Sequence, residues 1–126
     1  MKKTYRILIV DDSEELVETF NEFFSSMGYD VVTAKDGFSA LKLLRETNRE
    51  IDLVITDLVM PNISGIGLIS IIKEECPGLI TVAMTGYGDH PGALASQADA
   101  DRIFHKPLNL FEIEKEVSTL LENKTT

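Results

Sequence analysis

The arrangement of apolar segments along this chain predicts an α/β fold with a parallel five-stranded sheet. Three observations carry that reading. Five short apolar segments alternate with stretches of helical periodicity, the signature of successive β-α-β units. The segments are apolar almost throughout, as strands are when helices cover both faces of their sheet. Several of them also stop abruptly on a residue with chemistry to offer, as in YRILIVDD and DLVITD.

In chain order, the strands are expected at 5–10, 30–34, 52–56, 79–84 and 102–105. Between the first two, Leu16, Val17, Phe20, Phe23, Phe24 and Met27 repeat along one face of an α-helix. Asp12 and Glu15 fit a capping box at its start, and Gly28 fits the position just past its end. A second helix near 37–47 turns Phe38, Leu41 and Leu44 inward. A third, near 65–75, is dense in Ile and Leu and stops before Pro77. A helix around 91–99 is built of small residues with Gly92 inside, so it packs little apolar surface and is expected to be the most mobile. The last helix opens at NLFE, with Asn109 as N-cap, Glu112 at N3, and Leu108 and Ile113 spaced as a hydrophobic staple. Phe111, Val117, Leu120 and Leu121 continue its apolar face.

The 126 residues suit one domain, 1–126, with 44% hydrophobic and 26% charged side chains. Twelve basic against 21 acidic residues give a net charge of −9, and no Lys/Arg run interrupts the acidity. That balance argues against direct nucleic-acid binding and favours a site for a cation or a basic partner. Cys76 is the only cysteine, which precludes an internal disulfide and fits a cytoplasmic chain. The apolar part of MKKTYRILIVDD is too brief for a signal peptide, and no run approaches a membrane span of ~20 apolar residues. The last helix runs close to the final residue, so no output domain is expected after it.

An open α/β sheet binds its ligand beyond the carboxyl ends of its strands. Asp11 and Asp12 follow the first strand, Asp57 the third, Thr85 the fourth and Lys106 the fifth. Three carboxylates brought together resist ionising unless a cation joins them, and hard oxygen donors suit Mg2+. Lys106 can pair with Asp57 and then with a phosphoryl oxygen, Thr85 can donate to another, and a carboxylate can itself be the nucleophile. Taken singly, each has an ordinary reading: Asp11 and Asp12 as helix caps, Asp57 as a loop residue, Thr85 as a turn residue, Lys106 as surface charge. His90 and His105 read as structural or surface residues, since neither has a second ligand at metal spacing. The joint pattern at four strand ends decides for a site.

Those residues resemble a known family, the receiver domain of two-component response regulators, here of the single-domain type. The resemblance covers essentially the whole chain and rests on ILIVDD, DLVITDLVMPNISG, AMTGYG and FHKP, in order and at family spacing. It implies a flavodoxin-like three-layer (βα)5 sandwich with strand order 2-1-3-4-5. It further implies phosphoryl transfer from a sensor histidine kinase or histidine phosphotransfer domain onto Asp57. Asp12 then resembles a direct Mg2+ ligand and Asp11 a ligand through water, with Asp57 and the Val59 backbone carbonyl completing the protein's share. Thr85 and Lys106 resemble the phosphoryl-sensing hydroxyl and cation, and Lys106–Pro107 the family's cis peptide. Such a protein is not an enzyme but a phosphoacceptor that assists its own phosphorylation and dephosphorylation. It signals to a downstream protein as a monomer or weak dimer, without nucleic acid or membrane.

Three positions depart from the family pattern. Ile103 stands where an aromatic switch is usual, with Phe104 beside it on the opposite strand face. Val59 and Tyr87 occupy positions that tune phosphoryl lifetime, and neither readily orients a water, so self-hydrolysis is expected to be slow. Two other readings compete. An aspartyl-phosphate phosphatase commonly carries a second acid two residues past its nucleophile, where this chain has Val59. A non-phosphorylated binding module or flavin carrier of the same fold lacks support from a Ser/Thr/Gly-rich loop after the first strand.

Overall fold

Residues in the central strands alternate between two cores, so each strand is buried on both sides. The computed structural model describes residues 4–46, 50–60, 63–86 and 99–125. Within them the strands are β1 (Arg6–Val10), β2 (Asp30–Ala34), β3 (Leu53–Asp57), β4 (Ile80–Thr85) and β5 (Arg102–His105). The helices are α1 (Glu14–Ser26), α2 (Gly37–Arg45), α3 (Gly65–Glu75) and α4 (Leu110–Thr125). The strands form one parallel sheet in the order β2-β1-β3-β4-β5, as the family resemblance implied. The helix expected around 91–99, together with Tyr87 and His90, falls outside the described residues apart from Asp99.

Side chains two apart on a strand share a face. Ile7, Ile9, Leu53, Ile55, Val82 and Met84 pack with Phe20 and Phe24 of α1 and with Ile113, Val117 and Leu121 of α4. Leu8, Val10 and Val54 turn the other way, onto Ala40 and Leu41 of α2 and Leu68 and Ile72 of α3. The result is the three-layer sandwich. β2 and β5 lie at the sheet edges and are only partly buried.

Local chemistry sets the helix ends. The cap of α1 is Ser13, not Asp12: its side chain accepts the Leu16 N–H at 3.2 Å. The expected capping box is displaced because Asp11 Oδ1 accepts the Ser13 N–H at 2.8 Å, closing a turn that starts the helix one residue later. At the other end Tyr29 N donates to Phe24 O and Gly28 N to Ser25 O, a Schellman motif. Gly28 sits at φ 96°, the left-handed conformation that motif requires. Asn109 caps α4 as expected, accepting the Glu112 N–H at 3.2 Å, and Leu108 joins Ile113 in the same core.

Two aromatics expected inward are not. Phe38 is 61% and Phe111 73% exposed. At roughly 100° per residue, Phe38 lies well around the helix from the buried arc of Gly37, Ala40 and Leu41. Phe111 likewise points away from Ile113, Val117 and Leu121, and rests edge-on against Phe23 with ring centroids 5.2 Å apart. Ile103 and Phe104 do take opposite faces: Ile103 packs against Leu58, Ile69 and Ala83, whereas Phe104 joins the α1/α4 core.

Candidate functional site

β1 and β3 are neighbours, yet the chain leaves β1 outward to β2 before returning to β3. A crevice therefore opens between the carboxyl ends of β1 and β3, the usual ligand position in such sheets. Asp11 and Asp12 lie on one side of it, and Asp57, the last residue of β3, lies on the other. One carboxylate oxygen from each of the three comes within 4.8 Å of the others. Asp11 and Asp57 are buried, and Asp12 is exposed.

Each side chain is held by its backbone surroundings. Asp57 Oδ1 accepts the Val59 N–H at 3.1 Å, and Lys106 Nζ reaches Asp57 Oδ2 at 3.2 Å. Lys106 follows β5, and its own N–H donates to Thr85 O at 2.8 Å. Thr85 is the last residue of β4 and is buried, one position past Met84, the register partner of Asp57. The Lys106–Pro107 peptide is cis. The five residues expected at the strand ends thus lie along one rim, with Asp11, Asp12, Asp57 and Lys106 gathered into one cluster. The side chain of Val59 is half exposed.

Asp11 carries the strongest electrostatic signal. Its Oδ2 is buried and has no hydrogen-bond partner among the described residues. Such an acceptor calls for an explanation, commonly an ion or an ordered water. The Asp11 carboxyl is pushed up to about 6, chiefly by burial and further by the charges of Asp57 and Asp12. The Ser13 amide and Lys106 pull it the other way. A folded-state value raised above the ordinary 3.8 means the folded chain holds a proton that the unfolded chain has released. Stability from this group is therefore expected to fall as pH rises from about 4 to 6 in metal-free protein. Urea denaturation at stepped pH checks this, with Asp11→Asn expected to flatten the slope.

Sequence reasoning missed Gly65, the first residue of α3. A Cβ there would strike the Asp57 carbonyl oxygen and lie 2.6 Å from Leu58 Cα. Gly65 N also donates to Leu58 O at 3.0 Å, so the start of α3 rests directly on the backbone that presents Asp57. A glycine opening a helix shortly after an acid-ending strand was the available signal.

Comparison with known proteins agrees with this fold. The chain matches the model of the response regulator receiver domain over residues 7–118, and it belongs to that family. It is 36% identical over 123 residues to the uncharacterized transcriptional regulatory protein YrkP of Bacillus subtilis, covering 96% of this chain and 51% of that protein. It is 34% identical over 122 residues to the transcriptional regulatory protein GlrR of Escherichia coli, covering 95% of this chain and 27% of that protein. The chain thus spans about half or less of the length of these relatives. Among solved structures, a receiver domain protein from Clostridium thermocellum superposes with a TM-score of 0.87 at 27% identity, covering 96% of this chain and 97% of that one. The response regulator TrrA of Thermotoga maritima, in complex with Mg2+-BeF, gives 0.82 at 34% identity, covering 93% and 99%. Among the described residues, no helix is long and apolar enough to cross a membrane.

Proposed function

We propose that this receiver domain accepts a phosphoryl group on Asp57 from a phosphohistidine of a histidine kinase or phosphotransfer protein, in the cytoplasm, with Mg2+ bound. The observation that carries the reading is the convergence of the Asp11, Asp12 and Asp57 carboxylates with Lys106 Nζ on Asp57. The donor set fits Mg2+: three carboxylates crowd one rim, and the buried Asp11 Oδ2 is without a hydrogen-bond partner among the described residues. Asp11, Asp12, Asp57 and the Val59 carbonyl would hold the ion. When bound, it offsets the carboxylate charges and the charge developing on the phosphoryl oxygens.

The chain's own residues supply the rest. An Asp57 oxygen attacks phosphorus, an O–P bond forms as the N–P bond breaks, and the imidazole departs with its electron pair and takes up a proton. The Val59 N–H orients Asp57 through the other carboxylate oxygen. Lys106 shifts its charge from the carboxylate to the new phosphoryl oxygens, and Thr85 donates to another of them. Phosphorylation adds charge and strong acceptors beside Thr85 and Lys106, biasing the loops at the carboxyl ends of β3 and β4 towards a second arrangement. The chain is then a signalling acceptor, not a turnover enzyme, because Val59 occupies the place where a phosphatase of this chemistry carries its second acid.

Incubation with acetyl phosphate and Mg2+ is expected to add one phosphoryl group per chain, and chelation to prevent it. Failure of any label to appear would refute the reading. Once formed, the acyl phosphate is expected to decay slowly, because the half-exposed Val59 offers no group to orient water. Val59→Asn is expected to hasten that decay, read as loss of label over time. An equally rapid decay in the unsubstituted protein would contradict it.

A further inference from the structure

β5 is a poor candidate to hold Lys106 in place unaided. It has four residues, lies at the sheet edge next to β4, and is exposed at both of its ends. A slip of one residue would exchange the faces of Ile103 and Phe104. It would also carry Lys106 about 3.3 Å along the strand. Its ammonium, now 3.2 Å from Asp57 Oδ2, would lose that contact.

A clamp at the start of the strand opposes the slip. Thr81 is fully buried in β4, and both its N–H, at 2.8 Å, and its hydroxyl, at 3.3 Å, donate to Asp101 Oδ2. In return Asp101 N donates to Thr81 O at 2.8 Å. The carboxylate takes the place of a strand carbonyl, because β5 begins its ladder only at Arg102 opposite Val82. Asp52 makes a similar pair of bonds to the Arg6 backbone, at 2.8 and 2.9 Å. There, however, β3 is buried throughout and flanked by β1 and β4, so packing already specifies its register. In β5 the clamp carries more of that task.

We propose that Asp101, through its two-way bonding with Thr81, is a positioning residue for Lys106 and so for charge neutralisation at Asp57. The proposal rests on the phosphoacceptor reading. The test is a double-mutant cycle on the initial rate of labelling by acetyl phosphate at saturating Mg2+. Asp101→Ala is expected to slow labelling about tenfold, less than the roughly 10²-fold that a 1 Å misplacement can cost, because β5 keeps its other ladder pairs with β4. Asp101→Asn, which keeps an acceptor for the Thr81 N–H, is expected to recover most of the rate. In a Lys106→Ala background, Asp101→Ala is expected to change the rate by less than about twofold, because the group it positions is gone. A wild-type rate for Asp101→Ala, or equal slowing in both backgrounds, would overturn the proposal. Urea denaturation reports whether each variant is folded. Should Asp101→Ala not fold, Asp101→Glu, which keeps the charge but displaces the carboxylate by one methylene from the Thr81 N–H, enters the same cycle and supports or overturns the proposal on the same rates. No label on the unsubstituted protein would instead refute the phosphoacceptor reading, and the proposal with it.

Discussion

Asp57→Asn is expected to abolish phosphoryl incorporation altogether. The carboxamide has nearly the shape of the carboxylate, and its oxygen can still accept the Val59 N–H that Asp57 Oδ1 accepts at 3.1 Å. The fold should therefore survive, with circular dichroism and the urea midpoint close to those of the unsubstituted chain. The chemistry should not survive, because an amide is neutral and a poor nucleophile, and it no longer draws in Lys106 as an ion pair. Intact mass after incubation with acetyl phosphate and Mg2+ reads the outcome. Label that persists in Asp57→Asn would place the acceptor elsewhere.

Gly65→Ala is expected to be the most damaging single methyl in the described structure. Two effects oppose one another. Alanine favours a helix over glycine by about 1 kcal/mol. Against that, the added Cβ would strike the Asp57 carbonyl oxygen and the backbone of Leu58, neither of which can rotate out of its way. Overpacking of this kind costs about 1–3 kcal/mol, so the clash should win. Relief requires moving the end of β3, and Asp57 with it. Gly67, in the same helix, separates the two effects: a Cβ there would meet only Ser64 Oγ at 3.5 Å and Ile63 Cγ2 at 3.6 Å. Gly67→Ala should accordingly be neutral or stabilising. Urea midpoints of the two variants give the comparison, and a Gly65→Ala protein as stable as Gly67→Ala would show that the contact is soft.

Much of the architecture was readable from local pattern. The five strands and the helices among the described residues came within about two residues, because an apolar run of strand length flanked by turns has few other uses. The cap at Asn109 and the stop at Gly28 were also legible, since both depend on interactions within a turn or so of chain. The start of α1 was misplaced because Asp11, Asp12 and Ser13 are all competent caps, and Asp11 is drawn into a turn with Ser13. Phe38 and Phe111 were misjudged because apolarity alone does not say which side of a short helix its neighbours cover. Strand order came from the family resemblance, not from periodicity.

By itself the sequence determined which residues stand at the ends of strands, and that those ends carry three acids, a hydroxyl and a lysine. Tertiary structure decided that Asp11, Asp12 and Asp57 share one rim and that Lys106 closes on an acid 49 positions earlier. It also decided which carboxylate oxygen is buried without a bond among the described residues, and why residue 65 has no side chain. The physical reason is reach. Periodicity and capping act over a turn or two of chain, whereas these contacts depend on which strands lie side by side and in what register.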